Sequence, residues 1–218
     1  MTRYTRVRLE PAGPFHFGGR GIGLERSDVW LPADSLFSAL CTVLALQRGA
    51  DAASALLKQF ANAQTKEAVP FRLTSLMPYA AQVFLLPYPM IGPPLVPGAS
   101  DLRKRKQFKA IEWVSESVFR RLARYETPTE AMEGDEPVTL HGGKVWLTAE
   151  EKQALAGFVA RNPETNEKEW PVLWRKHTRP RVTVDRQTSA SAIYAVGSTH
   201  FNHSGPDRAG LYLSLIHI

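Results

Sequence analysis

The chain opens on a strict alternation. From Arg3 to Leu9, Tyr4, Arg6 and Arg8 take one side and Thr5, Val7 and Leu9 the other, which predicts a first β-strand with a basic face. Pro11, Gly13 and Pro14 end it, and Asp28 to Leu31 reads as a short extended piece. The period then lengthens. Leu36, Phe37, Leu40, Val43 and Leu44 recur at helical spacing and predict a helix from about Asp34 to Arg48. Asp34 or Ser35 can cap it, and Gly49 stops it with Arg48 in the last turn. A second helix, Asp51 to Ala63, carries Leu56, Leu57 and Phe60 on its apolar face. Val69 to Leu76 reads as a strand and Val83 to Leu86 as a shorter one. Pro78, Pro87, Pro89, Pro93, Pro94 and Pro97 lie between and after them. Proline donates no ladder hydrogen bond, so this connection is excluded from central strands and helix interiors. A β-α-α-β-β order is compatible with a ferredoxin-like, RNA-recognition-type sheet with one helix added.

Further along, Ile111, Trp113 and Val114 precede an amphipathic helix that Ser115 begins and that ends near Arg124. Thr127 to Pro137 is acidic and turn-rich and is expected as an exposed loop. Val138 to Leu147 reads as a hairpin through Gly142 and Gly143. Thr148 caps a helix expected from Ala149 to Arg161, with Glu150 and Glu151 in its first turn. Asn162 to Glu169 is polar and reads as a loop. Val182 and Val184 mark a short β pattern, Ala192 to Val196 a strand, and Leu211 the start of a buried strand.

Composition changes this picture in one respect. With 218 residues, 44% hydrophobic and 22% charged, the chain suits one large or two small globular domains. Its formal net charge of +6 raises the weight of a nucleic-acid or other acidic partner. Cys41 is the only cysteine, so no internal disulfide forms and a reducing compartment is expected. Thr2 to Pro11 is too polar for a signal peptide, and no apolar run approaches the ~20 residues of a membrane span. The expectation is a soluble, cytoplasmic protein.

Three stretches carry candidate chemistry. In the first, Gly18, Gly19, Gly21 and Gly23 surround Arg20, with His16 upstream and Arg26 downstream. Glycines let a backbone approach a ligand closely, and arginines add fixed positive charge. This loop feeds the predicted helix at Asp34 and Ser35, whose amino end adds partial positive charge, so the pair reads as a phosphate cradle. The same glycines would equally serve a mobile surface loop, and the spacing matches no nucleotide-binding fingerprint. The second is Arg103 to Lys109, RKRKQFK, with Lys104, Arg105, Lys106 and Lys109. It reads either as a solvated basic turn or as a phosphate-contacting patch. The third is Trp174 to Phe201. Arg175, Lys176, His177, Arg179 and Arg181 lead into Asp185, Arg186 and Thr188, interleaved with Trp174 and Tyr194. That mixture suits single-stranded RNA or an ordinary basic strand-loop-strand. His200 and His203 lack the Cys, Asp or Glu companions of a metal site, no catalytic motif stands out, and no cofactor is implied.

The first stretch also carries a resemblance. His16, Gly18 and the run Asp34, Ser35, Leu36, Phe37, Ser38, Ala39 and Leu40 resemble the amino-terminal signature of RAMP-superfamily CRISPR proteins. Among them the chain looks most like the fourth subunit of the type III-A Csm effector complex. Leu86, Pro87, Tyr88 and Pro89 resemble that family's LP-x-P segment; Lys106, Lys109 and Trp113 resemble its lysine-rich segment. Val184, Asp185, Arg186, Thr188, Ala192, Tyr194 and Phe201 resemble its later strand-turn-strand, with Asp185 structural.

The resemblance implies an α+β protein with a ferredoxin-like RAMP domain over 1–126 and a second, incomplete α+β RAMP domain over 127–212. Residues 213–218, LSLIHI, are then expected to be an artefactual, adaptor-encoded tail that packs on nothing. The implied role is a non-catalytic, crRNA-binding subunit in antiviral defence. It would hold the 5′ handle and link the large polymerase-cyclase subunit to the backbone RAMP subunit. The implied RNA-binding residues are His16, Gly18, Gly19, Arg20, Arg26, Ser35, Lys104, Arg105, Lys106, Lys109, Arg179, Arg181, Arg186 and Thr188. A metal-independent crRNA-processing endoribonuclease of the same superfamily, with His16 as acid or base, is the alternative. The equivalent type III-B subunit is a further one.

Overall fold

The computed structural model describes residues 3–18, 23–63, 69–90, 102–161, 168–169, 171–184 and 191–217. In chain order, β1 (Arg3–Leu9) leads to α1 (Ala33–Arg48) and α2 (Ala50–Ala61), then to β2 (Arg72–Leu73), β3 (Met77–Ala80) and β4 (Val83–Pro87). Next come α3 (Leu102–Ala110), β5 (Trp113–Ser115) and α4 (Glu116–Ala123). A 3-10 turn at Thr129–Ala131 precedes β6 (Met132–Glu133), β7 (Glu136–Pro137), β8 (Thr139–Leu140) and β9 (Val145–Trp146). The chain continues through α5 (Ala149–Ala154), β10 (Ala160–Arg161), β11 (Lys168–Glu169), β12 (Trp174–Val184), β13 (Ser191–Phe201), β14 (His203–Ser204) and β15 (Asp207–His217).

The fold is α+β, but its strand order is not the ferredoxin-like one expected. The main sheet runs β1-β15-β3-β4-β5-β9-β8, with β2 and β14 also paired to β15. β15 lies beside β1 from Arg3↔His217 to Leu9↔Leu211 and beside β3 from Ala209↔Ala80 to Tyr212↔Met77. The last described strand thus separates the first from the β3–β4 hairpin, and strands from both sides of residue 126 share one sheet. Leu213 to His217, expected to pack on nothing, continue β15. They pair with β1 throughout and with β2 at Leu215 and Ile216, and Leu213 packs against the core. Local periodicity cannot reveal such a pairing, because its partner lies about two hundred residues away in sequence.

Other expectations shift for local reasons. The strand expected at Val69 to Leu76 is broken at Thr74 and Ser75. Their hydroxyls accept from the backbone N–H of Ser214 and Ala33, competing with the ladder. Pro78 does sit inside a central strand. It is tolerated because the β3–β4 ladder covers only Tyr79 and Ala80. α1 starts after Pro32 without a side-chain cap, and Asp34 instead accepts from the N–H of its neighbour Ser35. Ser115 caps α4 as expected, and Thr148 caps α5 through a full capping box with Glu151. α5 stops at Ala154, well short of Arg161, because the next turn carries the buried side chains of Leu155 and Phe158 into the core. The acidic stretch after Thr127 is not all exposed. Ala131 is buried and its carbonyl accepts from Trp146 Nε1 at 2.8 Å.

Alternation across the sheet sorts the core into two clusters. Trp113 and Val145 join Tyr79, Phe84, Leu85, Tyr212 and Trp174 in the larger. Their neighbours Val114 and Trp146 join Phe108, Val118, Leu122 and Ala131, beneath α3 and α4, in the smaller. α1 contributes Leu36 to the larger cluster, while Leu40 and Val43, expected on its apolar face, are 46% and 48% exposed. No helix among the described residues is long and apolar enough to cross a membrane.

Candidate nucleic-acid interface

β12 and β13 form a separate two-stranded antiparallel ladder, paired from Trp174↔Phe201 to Val184↔Ser191. Only its base is buried. Trp174 and Phe201 enter the larger core cluster, and every β12 residue from Lys176 to Val184 is exposed. This arm was expected as two short pieces. Pairing, rather than apolar content, makes it long, since each strand satisfies the other's backbone. Strand alternation places Arg175, His177, Arg179 and Arg181 on one face, with the cross-strand partners His200, Ser198, Val196 and Tyr194. The opposite distal face carries Val182, Val184 and Ile193, which are exposed.

The described flanks of the glycine loop dock on the base of this arm. Phe15 and Thr199 exchange backbone hydrogen bonds at 3.0 and 2.8 Å, and Gly197 N–H donates to the Leu24 carbonyl at 2.7 Å. His16 Nδ1 lies 2.7 Å from the Gly197 carbonyl oxygen, which requires Nδ1–H to donate. The buried Thr199 hydroxyl sits 3.0 Å from the Ser27 hydroxyl and 3.2 Å from the Asp28 carbonyl oxygen. A Cβ built on Gly197 would overlap the Glu25 carbonyl oxygen, so only glycine allows the loop this close. Phe15 stacks on Phe201 with centroids 5.7 Å apart.

A half-buried histidine pins the arm from its other side. His141, in the β8–β9 turn, stacks on Trp174 at 4.2 Å, and its Nε2 accepts from Leu173 N–H at 3.1 Å. Burial, with some repulsion from Lys144, pushes its pKa down to about 4, so the ring stays neutral.

Of the residues singled out in the sequence, His16, Gly18 and Arg26 in the loop are thus brought to the arm that carries Arg179 and Arg181. Gly18 is bridged to Ser27, and Arg26, Arg179 and Arg181 are exposed. Gly19, Arg20, Arg186 and Thr188 lie outside the described residues. Ser35 is exposed in the first turn of α1. The flanks of the loop at Phe15 to Gly18 and Gly23 to Asp28 meet the arm, while the centre of the expected cradle, Gly19 to Ile22, lies outside the described residues. The basic run 103–109 is a helix, not a turn. α3 buries Phe108 against Trp146 and exposes Arg105, Lys106 and Lys109. Lys104 is part of α3, and its side chain lies outside the described ones. α3 belongs to the smaller cluster, whereas the loop and arm pack on the larger. Sequence reasoning missed Ser27, His141, Gly197 and Thr199; none stands in a motif, and only their long-range partners distinguish them. Among the described residues, no group of three metal-ligating side chains comes together.

The described residues thus form an α+β protein with an exposed two-stranded arm, whose cationic face rises from a base held by Phe15, His16 and Leu24. No family model matches the chain, and no curated protein does. Among solved structures it is similar to a chain of the Csm3-Csm4 subcomplex in the type III-A CRISPR-Cas interference complex. That chain shares 16% identity over 99% of this chain and 57% of its own, with a TM-score of 0.57. It is also similar to a chain of the Csm1-Csm4 cassette in complex with cA4, at 18% identity over 98% of this chain and 59% of that chain, with a TM-score of 0.55. The Csm1-Csm4 cassette in complex with one ATP gives 16% identity over 98% and 58%, with a TM-score of 0.50. Csm4 is named in all three, and the chain shares its α+β fold with the chains it matches there. The chain spans a little under three fifths of the length of the solved chains it matches.

Proposed function

We propose that the chain is a non-catalytic, crRNA-binding subunit of a type III-A CRISPR–Cas effector complex in the cytoplasm. It holds the 5′ handle of crRNA and links the large polymerase-cyclase subunit to the backbone RAMP subunit. The observation that carries the reading is the loop–arm junction, where Arg26 and the exposed Arg179 and Arg181 belong to elements locked together by His16, Gly197 and Thr199. Guanidinium groups spaced along one strand face suit successive phosphates of an extended RNA, and Tyr194 on the same face offers a ring for stacking. His16 acts here by position: its Nδ1–H is engaged with the Gly197 carbonyl and ties the loop to the arm. Structures similar to this chain pair Csm4 with Csm1 and with Csm3, which supports a subunit that touches both a large subunit and a backbone subunit.

The test is binding and cutting of repeat-derived RNA in the presence of a chelator. Binding without cleavage is expected. Arg179→Ala with Arg181→Ala should weaken binding and flatten the salt dependence, by about 0.7 in log–log slope for each phosphate of a single strand that is no longer neutralised. Chelator-resistant cleavage that His16→Ala abolishes while binding persists would replace this reading by the endoribonuclease.

A further inference from the structure

The basic face of β1 takes no part in the loop–arm junction. Tyr4, Arg6 and Arg8 share one side of this edge strand and line an open groove of about 510 Å³ with Gln82, Phe84, Glu116 and Arg120. That volume lies in the ~300–1,000 Å³ range of small-ligand sites. Its floor is aromatic. The Arg6 guanidinium lies 4.0 Å from the Phe84 ring centroid and 5.6 Å from that of Tyr212. Arg8 lies 4.9 Å from the Phe84 centroid and 5.2 Å from that of Tyr79. Arg6 and Arg120 both bind Glu116, at 3.1 and 2.7 Å, and Arg8 donates to Gln82 at 2.8 Å. Burial opposes the charge on Glu116, yet the hydrogen bonds and charges of Arg120 and Arg6 hold its carboxyl below the usual range, so it is ionised. Three guanidiniums face one carboxylate, which leaves the groove cationic. Arg6 Nε is buried with no acceptor, and the Tyr4 ring is 64% exposed at the rim.

We infer that this groove is a second nucleic-acid contact, which seats one nucleotide of a single strand with its phosphate at Arg8 and Arg120 and its base against Tyr4. Planar groups dominate the surface, and a base stacks on an aromatic ring or on a guanidinium plane. An acidic peptide would meet the same charge but has no use for exposed, stacked planes. Glu116 repels a second phosphate and accepts from a base amine or a ribose hydroxyl, which favours one nucleotide over a run of phosphates. The site does not depend on the handle reading, because it lies on β1, β4 and α4 rather than on the arm.

The full chain is photo-crosslinked to a short 5-iodouridine-substituted oligouridine, and affinity is followed by anisotropy across a salt series. Crosslinks at Tyr4 are expected. Tyr4→Ala should weaken binding about tenfold, the order of a single base stack. Arg8→Glu should weaken it further and lower the salt slope, and Arg8→Lys should keep the slope but lose part of the affinity. Each effect should persist in the Arg179→Ala, Arg181→Ala background, which separates this groove from the arm. Crosslinks confined to the loop and arm, with affinity unchanged in Tyr4→Ala and Arg8→Glu, would overturn the inference. So would capture of an oligoglutamate peptide that Arg8→Glu abolishes while RNA binding stays intact, since the groove would then belong to an acidic protein partner.

Discussion

β12 and β15 are strands of equal length, eleven residues each, with opposite fates. β15 is flanked by β1 and β3, and Ala209, Leu211 and Tyr212 are almost inaccessible. Among the described residues β12 has one partner, and Val182 and Val184 stay 58% exposed despite being as apolar as many core residues. Ile193, on the partner strand, is 77% exposed. Strand character therefore does not decide burial here; the number of neighbours does. A strand inside the sheet gains its stability from apolar contact, at about 25 cal/mol for each Å² removed from water. The arm gains little that way, and its base holds it in place through Trp174, Phe201, His141 and the loop. That arrangement leaves His177, Arg179 and Arg181 on its cationic face exposed.

The sharpest test of this contrast is removal of a core anchor. Trp146, fully buried in the sheet, stacks edge-on with Phe108 and donates to the Ala131 carbonyl. Trp146→Ala should cost about 3–5 kcal/mol in chemical denaturation, through the cavity and the orphaned carbonyl.

Acidification acts on the hinge between sheet and arm. His141 is neutral in the folded protein, with its pKa pushed down to about 4 mainly by burial. The unfolded chain takes up its proton near the ordinary histidine value of about 6.5. Between these values the unfolded state binds more protons, so stability falls as pH drops from about 6.5 to about 4, by about 3 kcal/mol in all. Stability curves at several pH values should show this loss, and His141→Gln should flatten it. An unchanged pH dependence in that variant would remove His141 from the hinge.

Gly197→Ala should come next, at about 1–3 kcal/mol, because the new methyl group forces the Glu25 backbone away. It should weaken RNA binding beyond its effect on stability, since it separates the loop from the arm; equal binding at equal folded fraction would argue against a joint surface. The smallest effect belongs to the arm's exposed side chains. Val182→Thr with Ile193→Thr should change stability within about 0.5 kcal/mol. A loss of several kcal/mol would show that this face is covered in the isolated protein and would break the comparison.

Much of the local structure was legible in advance. β1 falls on Arg3–Leu9, α1 and α2 flank Gly49, and the Ser115 and Thr148 caps and the Gly142–Gly143 turn stand where they were expected. These features depend on side-chain period, cap hydroxyls and positive φ, all properties of a few neighbouring residues. The glycine loop and the basic strand were each recognisable as candidate polyanion contacts for the same reason: charge and backbone freedom are written residue by residue.

What the sequence by itself determined was this set of pieces and their chemistry. Tertiary structure alone decided their company. It put β15 between β1 and β3, set His16 against Gly197, brought Thr199 beneath Ser27, and laid Arg6 and Arg8 over Phe84. Each of these contacts joins residues far apart along the chain, and its energy exists only once the intervening segments have paid their ordering entropy and closed around a shared core. Periodicity reports which face of an element is apolar; it does not carry the identity of the element that will cover it.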